Sequence, residues 1–223
     1  MRVIALDSSS VCTGVVVAEL ERKKLVKVGS APVIPNKFDV SELGYRKTKK
    51  KFTNTKGKTY SAYTTGDEDF VSEALKKKRD VEVRNAQNSF KMRDIGAQLD
   101  NLIRNIQPDL IVIEKNKTFN SILTSTLLAE VMGLVEGLAS ANNIPLMKLT
   151  VEEVRKGINS ARLVKEFAAT KTAEELASYE DVTKEAIKHH MVSIYGDYGF
   201  NPITLDEGDA CLIFHHWLNN FNE

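Results

Sequence analysis

Short apolar runs rich in β-branched residues alternate with polar, turn-forming stretches, and each run predicts a strand. The first three runs are Val3–Leu6, Gly14–Ala18 and Leu25–Val33. Because the links between them are short, we expect these neighbouring strands to pair antiparallel. Two further runs, Leu110–Ile113 and Ile144–Leu149, predict two more strands. The first of these two is uniformly apolar, which is typical of a buried central strand.

Elsewhere apolar residues recur at helical spacing and predict amphipathic helices. The predicted helices are Phe90–Ile106, Ser121–Ala141, Lys184–Tyr195 and Glu207–Phe221. Thr150 followed by Glu153 is a capping-box signature and predicts the start of another helix. Three strands followed by alternating helices and strands predict an α/β fold, in which a mixed five-stranded sheet carries helices on both faces.

The composition changes between about residues 36 and 88, where lysine, threonine, serine and tyrosine are frequent. A chain of 223 residues with 42% hydrophobic residues is long enough for one substantial core. We therefore expect a single domain over residues 1–223 with an insertion at about 36–88. Within this insertion a turn signal at Asn54–Gly57 lies between Phe52 and Tyr60 and predicts a hairpin.

The expected insertion is locally basic, although the net charge of the chain is only +1. Its basic residues between Tyr45 and Thr65, a stretch without Asp or Glu, are Arg46, Lys47, Lys49, Lys50, Lys51, Lys56 and Lys58. Such a block favours binding to DNA phosphates. A solvated arm that only keeps the protein soluble explains it equally well, so both interpretations stay open.

The two cysteines, Cys12 and Cys211, have neither the spacing of a zinc site nor that of a disulfide framework. The sequence shows no leader and no apolar run long enough to span a bilayer. We expect reduced thiols and a soluble, intracellular protein.

Four acids are the candidates for chemistry. Asp7 follows the first apolar run, and Glu114 follows the central one. Asp206 and Asp209, at the start of the last predicted helix, are spaced so that both side chains project from one face. Clustered carboxylates repel one another and need cations, and hard oxygen ligands suit Mg²⁺ or Mn²⁺. Two such ions about 4 Å apart would activate water and stabilise the leaving oxygen in phosphodiester hydrolysis, which makes a nuclease the leading hypothesis.

Most of these acids also have a local, non-catalytic interpretation. Asp7 precedes serines and suits a turn. Asp206 suits a helix N-cap, and Glu207 and Asp209 suit the helix dipole. Glu114 is harder to explain locally, because nothing in the surrounding chain requires an acid there.

Four segments in this order resemble the RuvC-type Holliday junction resolvases, particularly the divergent members carried by phages of Gram-positive bacteria. Val3–Ser9 resembles the first strand with its catalytic Asp, although Ser8 and Ser9 replace the usual Pro-Gly. Leu110–Glu114 resembles the central strand that ends in the catalytic Glu. Leu127–Lys156 is similar to the family's long helix, strand and following segment, and Asp206–Ala210 resembles the closing DxxDA pair.

The resemblance implies an RNase H-like fold, a homodimer and a Mg²⁺-dependent endonuclease that cleaves four-way junctions, with Mn²⁺ as a substitute ion. The implied metal ligands and catalytic acids are Asp7, Glu114, Asp206 and Asp209. The basic insertion departs from the bacterial pattern and would extend the substrates to other branched DNA. The expected location is the cytoplasm, that of the host cell if a phage encodes the protein.

The resemblance also implies roles for three residues outside the acidic set. Lys184 would match a basic residue that the family carries near the scissile phosphate. Phe119 would match an aromatic residue that stacks on bases at the junction centre. It lies five residues after Glu114 rather than three, and Lys117 stands at the nearer position, where we expect it to contact DNA.

Two other functions stay open. Asp7, the serines after it and Gly14 also resemble the first phosphate loop of actin-like ATPases and sugar kinases. Those proteins need a second domain and a second glycine-rich loop, whereas the 12 glycines here are not clustered. The other alternative is a non-catalytic junction-binding scaffold, but such a protein would bind DNA better without acids near the phosphates.

Overall fold

The structure is a computed structural model, and it describes residues 1–8, 12–48, 51–53, 57, 59–66, 72–115 and 122–222. Contacts along the chain divide it into two compact units. The main unit comprises Met1–Pro35 and Ile95–Glu223, and the second unit comprises Asn36–Asp94. The expectation of a single domain with an insertion at about 36–88 stays a prediction.

The main sheet confirms the expected mixed five-stranded architecture. The strands of the described chain are β1 (Arg2–Asp7), β2 (Thr13–Glu21), β3 (Lys24–Val33), β4 (Arg46–Lys47), β5 (Phe52–Thr53), β6 (Thr59–Tyr60), β7 (Tyr63–Thr64), β8 (Leu110–Lys115) and β9 (Leu146–Thr150). The main sheet has the order β3-β2-β1-β8-β9. β1 pairs antiparallel with β2 and parallel with β8, so the sheet changes direction at its centre.

The helices follow the expected order, with additions. They are α1 (Glu73–Ile106), α2 (Ile122–Ala141), α3 (Val151–Lys156), α4 (Ser160–Ala168), α5 (Ala173–Ser178), α6 (Val182–Tyr195) and α7 (Leu205–Phe221), with short 3₁₀ turns at Val40–Leu43 and Gly196–Tyr198. The capping box of Thr150 and Glu153 at the start of α3 is confirmed. α1 begins well before the predicted Phe90, because its first turns are mostly polar and lack the apolar periodicity that predicts a helix.

Alternation along β1 shows that both faces of the main sheet are covered. Val3 and Ala5 belong to a buried core that includes Ile187 of α6 and Phe214 of α7. Ile4 and Leu6 point to the opposite face, and they are equally buried. The prediction of a sheet with helices on both faces, made from the order of strands and helices along the chain, is confirmed.

The second unit contains two small ribbons, β4 with β7 and β5 with β6. Phe52 pairs with Tyr60, which confirms the predicted hairpin; its tip at Asn54–Lys56 lies outside the described residues. Arg79 of α1 is buried and donates a hydrogen bond to the carbonyl oxygen of Tyr63 at 3.0 Å. This bond ties the β4–β7 ribbon to α1.

Within the described ranges, no helix combines the length and the apolarity needed to cross a membrane.

A glycine in β2 allows the main sheet and α7 to approach each other closely. A Cβ atom built on Gly14 would lie 1.9 Å from the carbonyl oxygen of Asp206 and 2.7 Å from the amide nitrogen of Glu207. Backbone atoms on both sides cannot move aside as a flexible side chain could. The first turn of α7 can therefore rest on β2 only because residue 14 has no side chain.

We predict that Gly14→Ala destabilises the protein by about 1–3 kcal/mol or more, the usual range for overpacking. The matched control is Gly29→Ala in β3, where an added Cβ would meet nothing within 4 Å. Thermal unfolding followed by circular dichroism measures both. Equal melting temperatures for the two variants would contradict the close approach.

Candidate metal centre

The register of the central strands brings two acids to the same edge of the sheet. Leu6 of β1 pairs with Ile113 of β8 in parallel register. Asp7 and Glu114 each follow this pair in adjacent strands, so they lie side by side at the carboxyl ends of the strands. On its other side Asp7 pairs with Gly14, the residue on which the first turn of α7 rests.

α7 completes the cluster. Asp7, Asp206 and Asp209 each offer a carboxylate oxygen, and these atoms all lie within 4.8 Å of one another. All three residues are half-buried. Among the residues that the structure describes, this is the only group of three or more acidic, histidine or cysteine side chains close enough to hold an ion. His216, about two helical turns beyond Asp209 in α7, is not part of it.

Glu114 lies beside this group without belonging to its tightest part. It is half-buried and contributes to the electrostatic environment of Asp7, but it is not one of the three residues within 4.8 Å. The structure therefore brings three of the expected acids together and puts the fourth next to them.

The cluster carries an electrostatic penalty. Loss of hydration, followed by the negative charges of Asp209 and Glu114, raises the pKa of Asp7 to about 8. Burial also raises the pKa of Asp209, although the hydrogen bond from Lys184 opposes this effect. A bound cation would remove most of the repulsion, because it would neutralise the charges that cause it.

Lys184 of α6 supplies one positive charge to the cluster. Its Nζ lies 3.1 Å from Oδ1 of Asp206 and 2.8 Å from Oδ2 of Asp209. Burial lowers the pKa of Lys184, but the hydrogen bonds and charges of the two aspartates outweigh it and raise the pKa above its usual value. The ammonium group is therefore charged and bridges the two acids.

The structure contradicts the local interpretation of Asp206 as the N-cap of α7. Thr204 is the N-cap, and its hydroxyl accepts a hydrogen bond from the amide of Glu207 at 3.3 Å. Asp206 is thus free of a capping role. Thr204 and Glu207 form a capping box, and the Thr-x-x-Glu signature that reveals the one at Thr150 would have revealed this one too.

Cys12 is a neighbour of the centre that the sequence analysis missed. Its thiol hydrogen bonds to the side chains of Asp206 and Thr204. Burial, followed by the charge of Asp206, raises the pKa of the thiol to about 11, so it is protonated at neutral pH and can donate to the carboxylate. No pattern in the sequence links Cys12 to an acid nearly two hundred residues away.

The residues expected to bind DNA are described only in part. Arg46, Lys47 and Lys51 of the second unit are exposed. The remaining expected contacts lie outside the described residues: Lys49, Lys50, Lys56, Lys58, Lys117 and Phe119. Their roles stay predictions.

The donor set fits a hard divalent cation. Three carboxylates with converging oxygens are the ligands that Mg²⁺ and Mn²⁺ prefer, and no soft ligand belongs to the group. Burial, followed by the charges of Asp209 and Glu114, raises the pKa of Asp7, and a cation bound between the carboxylates would favour their ionised form.

Neither protein-family models nor curated proteins match the chain. Among solved structures, the chain is similar to Thermus thermophilus RuvC in complex with a Holliday junction substrate, with 12% sequence identity, a TM-score of 0.52, and coverage of 100% of this chain and 98% of that one. A second structure of Thermus thermophilus RuvC matches with 13% identity, a TM-score of 0.49 and coverage of 98% and 96%. The yeast mitochondrial Holliday junction resolvase Ydc2 matches with 16% identity, a TM-score of 0.44 and coverage of 97% and 78%. With the sheet order and the helices on both faces, the first likeness shows that this chain has the RuvC-like, RNase H-like fold.

Proposed function

We propose that the protein is a metal-dependent endonuclease that cleaves Holliday junctions and other branched DNA. The observation that carries this proposal is the convergence of Asp7, Asp206 and Asp209 within 4.8 Å, with Glu114 on the neighbouring strand. Carboxylates at the carboxyl ends of sheet strands and on a facing helix form a centre for divalent cations. This chain has the RuvC-like fold, and the structure of T. thermophilus RuvC to which it is similar is in complex with a Holliday junction substrate.

In this proposal Asp7, Glu114, Asp206 and Asp209 are the catalytic acids and hold Mg²⁺, for which Mn²⁺ substitutes. Bound ions supply an activated water and stabilise the charge that develops on the leaving oxygen. The protein contributes the rigid positions of the ligands, since Asp7 is fixed by its pairing with Gly14 of β2 and by the pairing of the preceding Leu6 with β8, and the two late aspartates by the first turn of α7.

Lys184 has two successive roles. Without a cation it neutralises Asp206 and Asp209, to which it is bound. When the aspartates are engaged by a cation, the ammonium group becomes available to contact the scissile phosphate, because it is held within reach of the same centre.

The protein acts as a homodimer in this proposal, since a four-way junction offers two symmetric strands to cleave. The exposed side of α2 carries small residues, among them Gly133 and Gly137, where added Cβ atoms would meet nothing within 4 Å. Such a surface permits the close approach of a second helix. We also propose a cytoplasmic location, that of the host cell if a phage encodes the protein.

Asp7→Asn and Glu114→Gln should each reduce cleavage of labelled four-way junctions by several orders of magnitude while leaving junction binding largely intact. The charge that holds the metal is lost, whereas the DNA-binding surface is unchanged. The matched control is Asp197→Asn, which alters an exposed aspartate of a 3₁₀ turn and should cleave normally.

The assay is run with Mg²⁺, with Mn²⁺ and with EDTA, on four-way, three-way and linear DNA. Full cleavage by either site variant would contradict the assignment. Binding without cleavage by the unmodified protein would favour the scaffold instead.

Asp7→Asn should raise the melting temperature at pH 8 in EDTA, because the variant lacks the repelling carboxylate. The pKa of Asp7 is about 8 in the folded protein and about 3.9 for an unperturbed aspartate. The folded protein therefore keeps a proton that the unfolded chain loses, and the free energy of unfolding of the unmodified protein falls as the pH rises from about 4 to about 8.

The stabilisation by Asp7→Asn should accordingly shrink toward pH 4. Added Mg²⁺ should raise the melting temperature of the unmodified protein at pH 8 more than that of the variant. Differential scanning fluorimetry of both proteins at pH 8 in EDTA, at pH 4 in EDTA and at pH 8 with Mg²⁺ measures these effects. A variant that is less stable than the unmodified protein in EDTA at pH 8 would contradict the destabilising charge of Asp7.

Replacing Arg46, Lys47 and Lys51 together by Ala should weaken junction binding and flatten its salt dependence. Each lost phosphate contact lowers the slope of log K against log salt by about 0.9. The matched control replaces Lys23, Lys24 and Lys27, exposed lysines of the β2–β3 hairpin, and should bind normally. Identical slopes for both triple variants, measured by fluorescence anisotropy, would favour the solvated-arm interpretation.

A further inference from the structure

Three helices of the described chain begin with a capping box, and their glutamates are matched in local geometry. The pairs are Thr150 with Glu153, Thr172 with Glu175, and Thr204 with Glu207. They differ in burial, because Glu153 and Glu175 are exposed whereas Glu207 is 0% exposed. Glu207 is the only one of the three that lies beside the acidic cluster.

Helix capping alone does not explain a buried acid at this position. A cap stabilises a helix only modestly, whereas burying a carboxyl group is costly unless its oxygens are well paired. An exposed glutamate forms the same box without that cost, as Glu153 and Glu175 show. The burial of Glu207 therefore calls for a second role.

The hydrogen bonds of Glu207 tie the chain before α7 to its first turn. Oε2 accepts from the amide of Ile203 at 3.0 Å, from the amide of Thr204 at 2.7 Å and from the hydroxyl of Thr204 at 2.9 Å. Oε1 is also buried and has no hydrogen-bond partner among the described residues. All of the anchoring is thus concentrated on one oxygen, at the turn that carries the metal-binding aspartates.

Packing fixes the same turn from two further sides. Gly14 of β2 contacts the backbone of Asp206 and Glu207, as described above. On the α6 side, a Cβ atom at Gly208 would lie 2.9 Å from the Cβ of Lys188. These contacts restrict where the turn can lie, and the bonds of Glu207 set how it enters the helix.

We propose that Glu207 is a positioning residue of the metal centre: its buried carboxylate clamps the first turn of α7 so that Asp206 and Asp209 converge on Asp7. This inference rests on the proposed function, because it assumes that the cluster binds a divalent cation. Glu207 holds the ligands in place through the backbone and is not itself a ligand.

The test measures Mn²⁺ binding by isothermal titration calorimetry, with the dissociation constant and the stoichiometry fitted separately. Glu207→Ala should raise the dissociation constant at least about tenfold, the lower end of the effect of removing a group that orients metal ligands. The number of Mn²⁺ ions bound per folded molecule should be unchanged. Circular dichroism determines the fraction of the protein that is folded. A variant that merely unfolds in part would lower the stoichiometry instead and leave the dissociation constant unchanged.

Two variants separate positioning from other roles. Glu175→Ala removes the matching capping box of α5 and should leave Mn²⁺ affinity unchanged. Glu207→Gln keeps an oxygen that can accept the same three hydrogen bonds, so it should bind Mn²⁺ nearly as well as the unmodified protein. If Glu207→Ala does not fold, Thr204→Val against Thr172→Val gives the same comparison from the threonine side of each box, and only Thr204→Val should weaken binding.

Three outcomes would overturn the inference. The first is an unchanged dissociation constant for Mn²⁺ in Glu207→Ala, or in Thr204→Val where that variant replaces it. The second is a loss of Mn²⁺ affinity in Glu207→Gln as large as that in Glu207→Ala. The third is a loss of the same size in the control variant, Glu175→Ala or Thr172→Val. Asp7→Asn identifies the source of a failure. If Asp7→Asn loses Mn²⁺ while Glu207→Ala keeps it, the metal centre stands and the clamp fails; if the unmodified protein does not bind Mn²⁺, both fail.

Discussion

Mutual repulsion among half-buried carboxylates is the interaction on which the site depends. The fold holds Asp7, Asp206 and Asp209 with oxygens within 4.8 Å of one another, and loss of hydration, followed by the neighbouring negative charges, raises the pKa of Asp7. Such an arrangement opposes folding unless positive charge compensates it. Lys184 supplies part of that charge, and a divalent cation would supply the rest.

The architecture explains how the carboxylates are held close together despite their repulsion. Pairing with Gly14 of β2 fixes Asp7, and the parallel register that pairs Leu6 with Ile113 of β8 brings Glu114 to the same edge. α7 can bring its two aspartates to that edge because Gly14 lets its first turn rest directly on β2. The acids therefore come from elements that also build the core, so the cluster cannot relax without disturbing the sheet.

The parts of the fold and of the acidic cluster that follow from a local sequence pattern were predictable from the sequence. Asp7 and Glu114 end apolar runs, and an acid after such a run has few local explanations, so both were identified. The first turns of α1 were missed because they are mostly polar and lack the apolar periodicity that predicts a helix. Glu207 was interpreted only through the helix dipole, although Thr204 and Glu207 carry a readable capping signature.

Other features depend on contacts between distant parts of the chain, which no local pattern encodes. The bond of Cys12 to Asp206 and the bridge from Lys184 to both late aspartates arise only when strands and helices pack. The resemblance suggested a basic residue at position 184, but not that it would neutralise the acids in the absence of a cation. Similarly, the burial of Glu207 is a property of the packed first turn and not of the motif.

The most direct test is the location of Mn²⁺ by anomalous scattering in crystals of the protein grown with that ion. The account predicts a peak within about 2.1 Å, a distance typical of hard-cation coordination, of carboxylate oxygens of Asp7 and at least one of the two late aspartates. It also predicts that Lys184 has moved away from whichever aspartate binds the ion. Peaks only at other acids, with Lys184 still bridging Asp206 and Asp209, would contradict it.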